Sequence, residues 1–182
     1  MARSELKHRP SHLRVEFQDW LDSYEPNRLH EIDVRPVASL LDALADEGRS
    51  CVLLGSPAER ELAAAIIAGA THQPVDLVGR TSLRELAALL AISDLVICQD
   101  SGPMHIAAAL GKPVVALFGP TSPARTGPYC PAARVVTLSL ECAPCYSRTC
   151  PFGHQRCLRD LEVDRVLRAV REITLLEIAE PT

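Results

Sequence analysis

The sequence predicts an α/β fold in which a parallel β-sheet is flanked by helices on both faces. From about residue 37 onward, short apolar runs alternate with stretches whose apolar residues recur at helical spacing, a pattern typical of parallel sheets with crossover helices. The apolar runs are continuous rather than alternating, as expected for strands covered on both faces. Aromatic residues make up only 4% of the chain, whereas alanine and leucine are abundant, which favours helices packed on a sheet.

Five apolar runs are predicted to be strands. They cover residues 51–54, 75–78, 95–98, 114–118 and 135–140. The predicted helices cover about residues 37–47, 58–68, 83–90, 103–110 and 163–176. Gly48 ends the first helix, Ser82 caps the third, and Gly111 ends the fourth.

Residues 1–34 do not fit this alternation. They are mixed and strongly charged, no clear strand is evident among them, and only a short helix near residues 15–21 is predicted. We therefore divide the chain into an atypical N-terminal segment, residues 1–34, and one domain, residues 35–182. A chain of 182 residues is long enough for a single domain with a substantial core.

Composition argues against several classes of function. A formal net charge of −4 gives no electrostatic basis for binding nucleic acid. No apolar run approaches the roughly 20 residues of a membrane span, and the N-terminus lacks the apolar core of a signal peptide. We expect a cytoplasmic protein whose seven cysteines are largely reduced.

The most informative segment is residues 100–111, DSGPMHIAAALG, which follows a predicted strand. Asp100 or Ser101 can cap the start of a helix, and Gly102 allows a ligand to approach the backbone. Such a helix start offers free N–H groups and a partial positive charge to an anion such as phosphate, to which His105 in the first turn can donate. An ordinary helix cap without a ligand explains the same residues equally well.

Glycine-bearing turns follow four of the predicted strands, at residues 55–57, 79–81, 99–102 and 119–121. Because ligands bind at the carboxyl ends of strands in parallel sheets, we expect one binding rim there. The last turn continues into a loop rich in proline and glycine. Its hydroxyls and Arg125 either bind a phosphate or face solvent.

Glu59 follows the first of these turns, in the first turn of its helix. Its carboxylate either complements the helix dipole or accepts hydrogen bonds from ribose hydroxyls. The sequence contains no P-loop and no GxGxxG turn after a strand. ATP hydrolysis and a dinucleotide cofactor are therefore poorly supported.

Four cysteines form a C-x2-C-x4-C-x6-C array within residues 142–157. They are Cys142, Cys145, Cys150 and Cys157. Thiolates at this spacing can hold a tetrahedral zinc ion, with His154 as a substitute ligand. Reduced packing cysteines and disulfides are the alternatives, so the sequence leaves the question of a metal open.

Residues 76–129, together with the cysteine-rich segment, closely resemble glycosyltransferase family 9, the heptosyltransferases of lipopolysaccharide core assembly. The resemblance extends over about residues 36–173, with several loops in the same order and spacing. It implies one Rossmann-like domain of a GT-B glycosyltransferase, namely the C-terminal domain that binds the donor. The implied donor is ADP-L-glycero-D-manno-heptose, transferred with inversion to a lipopolysaccharide core acceptor without a catalytic metal or other cofactor.

The resemblance also implies which residues bind the donor. Asp100 would bind heptose hydroxyls, Glu59 the ribose, and the loop with Gly119 and Thr121 would border the same pocket. The full implied set is Asp100, Ser101, Gly102, Met104, His105, Glu59, Gly119 and Thr121.

The same resemblance implies that part of the enzyme is missing from this chain. The family's N-terminal domain, with the acceptor site and the aspartate expected to act as general base, has no counterpart, so no catalytic residue is assigned here. The family's first strand of the donor domain also has no clear counterpart in residues 1–34. We expect an incomplete enzyme, cytoplasmic or peripheral to the inner membrane, that needs a separately encoded acceptor domain. The alternatives are a non-catalytic module that binds nucleotide sugars, or a degenerate remnant.

Overall fold

The structure, a computed structural model, describes residues 12–16 and 34–179, with backbone only for residues 12–16 and 176–179. Six parallel strands form one sheet in the order β3-β2-β1-β4-β5-β6. The strands are β1 (His12–Glu16), β2 (Ser50–Leu54), β3 (Val75–Asp76), β4 (Leu95–Gln99), β5 (Val114–Phe118) and β6 (Ala133–Thr137). This order is that of a Rossmann-like doubly wound sheet, so the predicted fold class is confirmed.

The helices follow the strands in alternation. They are α1 (Arg35–Asp46), α2 (Arg60–Gly69), α3 (Leu83–Ala91), α4 (Gly102–Ala109), α5 (Pro123–Thr126), α6 (Arg156–Arg159) and α7 (Val163–Ala179). A 3₁₀ turn, Pro57–Glu59, precedes α2. Among the described residues, no helix is both long enough and apolar enough to cross a lipid bilayer.

The strand β1 was not predicted. It lies between β2 and β4, in the middle of the sheet. For these residues the sequence had indicated no strand, and a helix was predicted from about residue 15. The rest of that predicted helix lies outside the described residues. The sequence of β1, HLRVE, contains only two apolar residues, so its local composition gives little indication of a strand. The hydrogen-bonding partners that make it a strand are distant in the chain.

Two layers of helices cover the two faces of the sheet. Helices α1, α2 and α7 share one core cluster, and α3 and α4 share the other. Within β4, Leu95 and Ile97 belong to the first cluster, whereas Val96 and Cys98 belong to the second. This alternation, with every residue of β4 buried, explains why the strand reads as a continuous apolar run.

Strand and helix ends differ from the predicted ones by a few residues, and local hydrogen bonds explain some of the differences. Strand β3 ends at Asp76 because the Asp76 Oδ1 accepts a hydrogen bond from the Val78 N–H at 3.0 Å, which turns the chain. Helix α4 ends at Ala109, one residue earlier than predicted, and Gly111 is the terminating glycine that the sequence indicated. Gly111, at φ +68°, donates to the Ala108 carbonyl, and Lys112 donates to the Ala107 carbonyl, both at 3.0 Å. These two bonds form a Schellman motif.

Replacing Gly111 with alanine is expected to lower the free energy of unfolding by about 1 kcal/mol, because a Cβ is strained in the left-handed region. A Cβ at Gly111 would meet no atom within 4 Å, so the cost is conformational rather than steric. Gly102, at the other end of α4, is the matched control, since its backbone is not left-handed. Urea unfolding of Gly111→Ala and Gly102→Ala measures the difference. Equal losses in the two variants would contradict it.

Candidate functional site

The carboxyl ends of β2, β4 and β5 form one rim of the sheet. The turns that follow these strands carry Gly55, Asp100 and Gly119, and the order β2-β1-β4-β5 places the last two on neighbouring strands. Helix α4 begins directly after Ser101, whose extended backbone, φ −145° and ψ 165°, stands at the N-cap position. The predicted rim is therefore formed, with the start of α4 near its centre.

Two cavities lie at this rim, one on each side of the α4 start. The β4–β5 cavity, of about 480 Å³, is lined by Gln99, Asp100, Leu117, Gly119, Pro120, Thr121, Tyr146, Ser147, Arg148 and Leu158. The β2–β4 cavity, of about 380 Å³, is lined by Gly55, Ser56, Pro57, Thr81, Ser82, Leu83, Leu86, Gly102, Pro103 and Ile106. The first lining contains the charged side chains of Asp100 and Arg148, whereas the second contains none. The two cavities therefore differ in the chemistry they offer.

The carboxylate of Asp100 is held by a residue that the sequence analysis did not single out. The Thr126 Oγ1 donates a hydrogen bond to the Asp100 Oδ2 at 2.7 Å and lies 3.3 Å from the Ser122 carbonyl. Thr126 is the last residue of α5, in the loop predicted to carry phosphate-binding hydroxyls. The bond fixes the direction of the Asp100 side chain at the cavity wall.

Neither Asp100 nor Ser101 caps α4 with its side chain, contrary to the prediction. The Asp100 carboxylate instead accepts the hydrogen bond from Thr126 described above. Ser101 is only 5% exposed, and its hydroxyl has no hydrogen-bond partner among the described residues. A buried polar group without a partner is costly in a folded protein. The start of α4 is thus left without a side-chain cap, next to a buried hydroxyl.

Glu59 is buried and belongs to a local capping box. Its Oε2 accepts a hydrogen bond from the Ser56 N–H, and the Ser56 side chain accepts from the backbone of Glu59. A Cβ on Gly55 would lie 2.9 Å from the same carboxylate oxygen, so glycine makes room for the Glu59 side chain. This geometry is that of a helix start, and contact with a ribose stays a prediction.

Comparison with known proteins identifies the family. The model for "Glycosyltransferase family 9 (heptosyltransferase)" matches residues 36–156, which is more than half of the chain. The chain belongs to glycosyltransferase family 9.

Two relatives illustrate how much of the family this chain spans. It is 36% identical over 146 residues to lipopolysaccharide heptosyltransferase 2 of Escherichia coli K12, covering 78% of this chain and 42% of that protein. It is 37% identical over 100 residues to lipooligosaccharide heptosyltransferase 2 of Campylobacter jejuni, covering 54% of this chain and 32% of that protein. The chain thus spans less than half the length of these two relatives.

Solved structures agree in fold. The chain is similar to the E. coli ADP-heptose lps heptosyltransferase II, with a TM-score of 0.75, 28% identity, and coverage of 93% of this chain and 48% of that chain. A glycosyltransferase family 9 structure from Veillonella parvula has a TM-score of 0.74 at 24% identity, with coverage of 93% and 48%. The described domain therefore has the Rossmann-like fold found in GT-B glycosyltransferases.

Three further residues that the family resemblance implied differ in their position relative to the two rim cavities. Met104 has no exposed surface and its side chain packs in the core beneath α4, so only its backbone is left to contact a ligand at the rim, and donor binding by this residue stays a prediction. His105 is exposed in the first turn of α4 but outside both cavity linings. Gly119 lines the β4–β5 cavity, but a Cβ there would lie 2.6 Å from the Leu158 Cγ. Packing against Leu158 is therefore sufficient to require glycine at residue 119.

Arg125, which the sequence placed either on a phosphate or in solvent, is exposed. Its guanidinium sits over the ring of Tyr146, 5.4 Å from the ring centroid, and Arg125 lines neither rim cavity. Thr121 does line the β4–β5 cavity, and its part in donor binding stays a prediction. The positive charge in that cavity comes from Arg148, in the cysteine-rich segment, which sequence reasoning had not linked to the rim.

All seven cysteines are free thiols, and the four of the cysteine-rich segment line one small cavity of about 40 Å³ together with His154. The Cys142 Sγ lies 3.9 Å from the His154 Nε2. No three His, Cys, Asp or Glu side chains among the described residues are placed to hold a metal ion. The zinc hypothesis thus gains no support from this geometry.

The thiols in this segment differ in acidity. Burial acts to raise the pKa of Cys150, but the backbone N–H groups of residues 152–155 outweigh it and lower that pKa. Burial raises the pKa of Cys157, and the charges of the three neighbouring thiolates raise it further. The four cysteines are therefore chemically unequal.

We expect iodoacetamide to alkylate Cys150 faster than Cys157 at about pH 8, because the thiolate is the nucleophile and a lower pKa gives a larger thiolate fraction. Cys51 is the slow reference, since burial raises its pKa to about 11. Peptide mass spectrometry after brief labelling of the folded protein measures the order. Faster labelling of Cys157 than of Cys150 would contradict the assignment.

Proposed function

We propose that this chain binds ADP-L-glycero-D-manno-heptose and forms the donor-binding half of a heptosyltransferase that acts on a lipopolysaccharide core. The observation that carries the proposal is the pair of unlike cavities on either side of the α4 start. A nucleoside diphosphate sugar likewise has an uncharged aromatic end, an anionic centre and a polyhydroxyl end. The name of the E. coli structure, an ADP-heptose heptosyltransferase, supports the choice of ADP-heptose among such donors.

The nucleoside is assigned to the β2–β4 cavity. Its lining combines apolar surfaces of Leu83, Leu86 and Ile106 with the hydroxyls of Ser56 and Thr81, and it contains no charged side chain. Adenine is flat and uncharged, so it fits such a lining without the cost of burying a charge. Glu59 lies in the turn after Ser56 and would accept hydrogen bonds from ribose once released from its capping box.

The diphosphate is assigned to the start of α4. This end of the helix carries a partial positive charge and has no side-chain cap. A Cβ on Gly102 would meet nothing within 4 Å, which leaves open space where a phosphate can approach the backbone. The buried hydroxyl of Ser101, without a partner among the described residues, is available as a hydrogen-bond donor beside it.

The heptose is assigned to the β4–β5 cavity, next to Asp100. Because Thr126 bonds to the Asp100 Oδ2, the other carboxylate oxygen, Oδ1, remains to accept hydrogen bonds from sugar hydroxyls. Thr121 lines the same cavity and adds a hydroxyl that can donate or accept. The sugar is thus held by directional hydrogen bonds rather than by apolar contact.

In the proposed reaction, an acceptor hydroxyl attacks the anomeric carbon of the heptose as the bond to the diphosphate breaks. The departing ADP gains negative charge, and the α4 start stabilises that charge. The proton of the acceptor hydroxyl passes to a base supplied by an acceptor domain, placed at the cytoplasmic face of the inner membrane near its lipopolysaccharide substrate. Transfer then needs both halves and no metal.

A non-catalytic module that binds nucleotide sugars is the second candidate, because the two rim cavities and the α4 start account for donor binding alone and none of the described residues is assigned as a general base. Both candidates share the donor site. Heptose transfer, assayed with the chain alone and with an acceptor domain added, separates them. Transfer only with the acceptor domain supports the incomplete enzyme, and none in either case supports the module.

Replacing Asp100 with asparagine should weaken the binding of ADP-heptose by about tenfold, because the charged acceptor of the sugar hydroxyls is lost. Binding of ADP, which lacks the sugar, should change little. Asp94→Asn is the matched control, since Asp94 is exposed just before the first residue of β4, at the opposite end of the strand. Isothermal titration with both ligands measures the effect. If Asp100→Asn left ADP-heptose binding intact, the sugar assignment would be wrong.

Replacing Gly102 with alanine should weaken ADP binding without lowering the stability of the fold. The stability of the fold should be unchanged or higher by about 0.5 kcal/mol, because the position is helical and open. Binding of ADP should weaken, because the methyl group occupies the space assigned to a phosphate. Urea unfolding and ADP titration on the same variant measure the two effects. Undiminished ADP binding would place the diphosphate elsewhere.

A further inference from the structure

One cation at the rim has no role in the site described so far. Arg148 lines the β4–β5 cavity together with Asp100 and Thr121, and it is the only positively charged side chain in the described lining of either rim cavity. It comes from the cysteine-rich segment, more than twenty residues after the turn that carries Thr121. The topology brings the two segments together.

The segment that carries Arg148 is attached to the rim at three points. The Tyr146 N–H donates to the Pro120 carbonyl at 2.8 Å, and the Tyr146 ring packs under the Arg125 guanidinium. Leu158 lies so close to Gly119 that no side chain fits between them. The first of these contacts is only two residues before Arg148. The backbone at Arg148 is therefore held beside the cavity rather than left in an independent loop.

The charge of Arg148 is not used by a neighbouring acid. None of the carboxylates in the described part of the chain forms an ion pair with it, whereas Arg156 pairs with Asp160 at 2.7 Å and Arg171 with Glu47 at 2.6 Å. Asp100 lines the same cavity and is among the carboxylates that form no ion pair with Arg148, and its Oδ2 accepts a hydrogen bond from Thr126. Arg148 thus faces the cavity as a cation open to an anionic ligand.

A diphosphate needs more positive charge than a helix start provides. The end of a helix is equivalent to about half an elementary charge, whereas a diphosphate carries more than one negative charge. Arginine presents several N–H donors in a planar fork that fits phosphate oxygens. We propose that Arg148 binds the diphosphate of the donor, opposite the α4 start. The proposal rests on the proposed function. It adds that the positive charge facing the diphosphate comes from a residue of the cysteine-rich segment.

The test is titration of the full chain with ADP and, separately, with adenosine, in the absence of any acceptor. Arg148→Ala should raise the Kd for ADP by about tenfold and leave the Kd for adenosine nearly unchanged. Arg148→Lys, which keeps the charge but not the planar fork, should fall between the wild type and Arg148→Ala. The difference between wild type and Arg148→Ala should shrink as the salt concentration rises.

Arg159→Ala is the matched control, because it removes one exposed positive charge from the same part of the chain without altering a rim cavity. It should leave both Kd values near those of the wild type. An equal loss of ADP and adenosine binding in Arg148→Ala, or no loss of ADP binding, would overturn the role of Arg148 while leaving the donor site in place. Failure of the wild type to bind ADP at all would overturn the proposed function and this inference together.

Discussion

The hydrogen-bonded ladder of parallel strands is the constraint on which the rest of this structure depends. Because all six strands run in the same direction, their carboxyl ends meet at one rim. Strand β1 pairs with β2 and β4, so it joins the two halves of the sheet and sets the separation of their turns. The Asp100 turn, the Gly119 turn and the start of α4 are close together for this reason.

The rim is held in place by packing against the core and against the cysteine-rich segment. Met104, in the first turn of α4, is fully buried in the core cluster that includes β4 and β5, so the start of α4 is anchored by packing. Leu158 fills the space left by the missing side chain of Gly119 and ties the cysteine-rich segment to the turn after β5. These contacts hold the rim in place, because a packed core resists small displacements.

The electrostatics of the site are divided between the two sides of α4. The β2–β4 cavity is lined by apolar and hydroxyl groups, whereas the β4–β5 cavity contains one acid and one base. An uncharged ring system and a polyhydroxyl group suit these two environments, with the anionic linkage between them at the helix start. In the proposed donor complex, this division distinguishes one orientation of a nucleoside diphosphate sugar from the reverse one.

The sequence by itself determined the alternation of strands and helices, the parallel sheet, and the glycine-bearing turns at residues 55–57, 99–102 and 119–121, because these features depend on local periodicity and backbone preference. It did not reveal β1, whose strand character comes from its two neighbours in the sheet. Only the tertiary structure decided that Thr126 holds Asp100 and that Met104 faces the core. It also decided that Arg148, rather than Arg125, supplies the positive charge in the lining of the β4–β5 cavity. The first and third of these join segments that are distant in the chain, and the burial of Met104 depends on the strands beneath α4. No local pattern encodes such contacts.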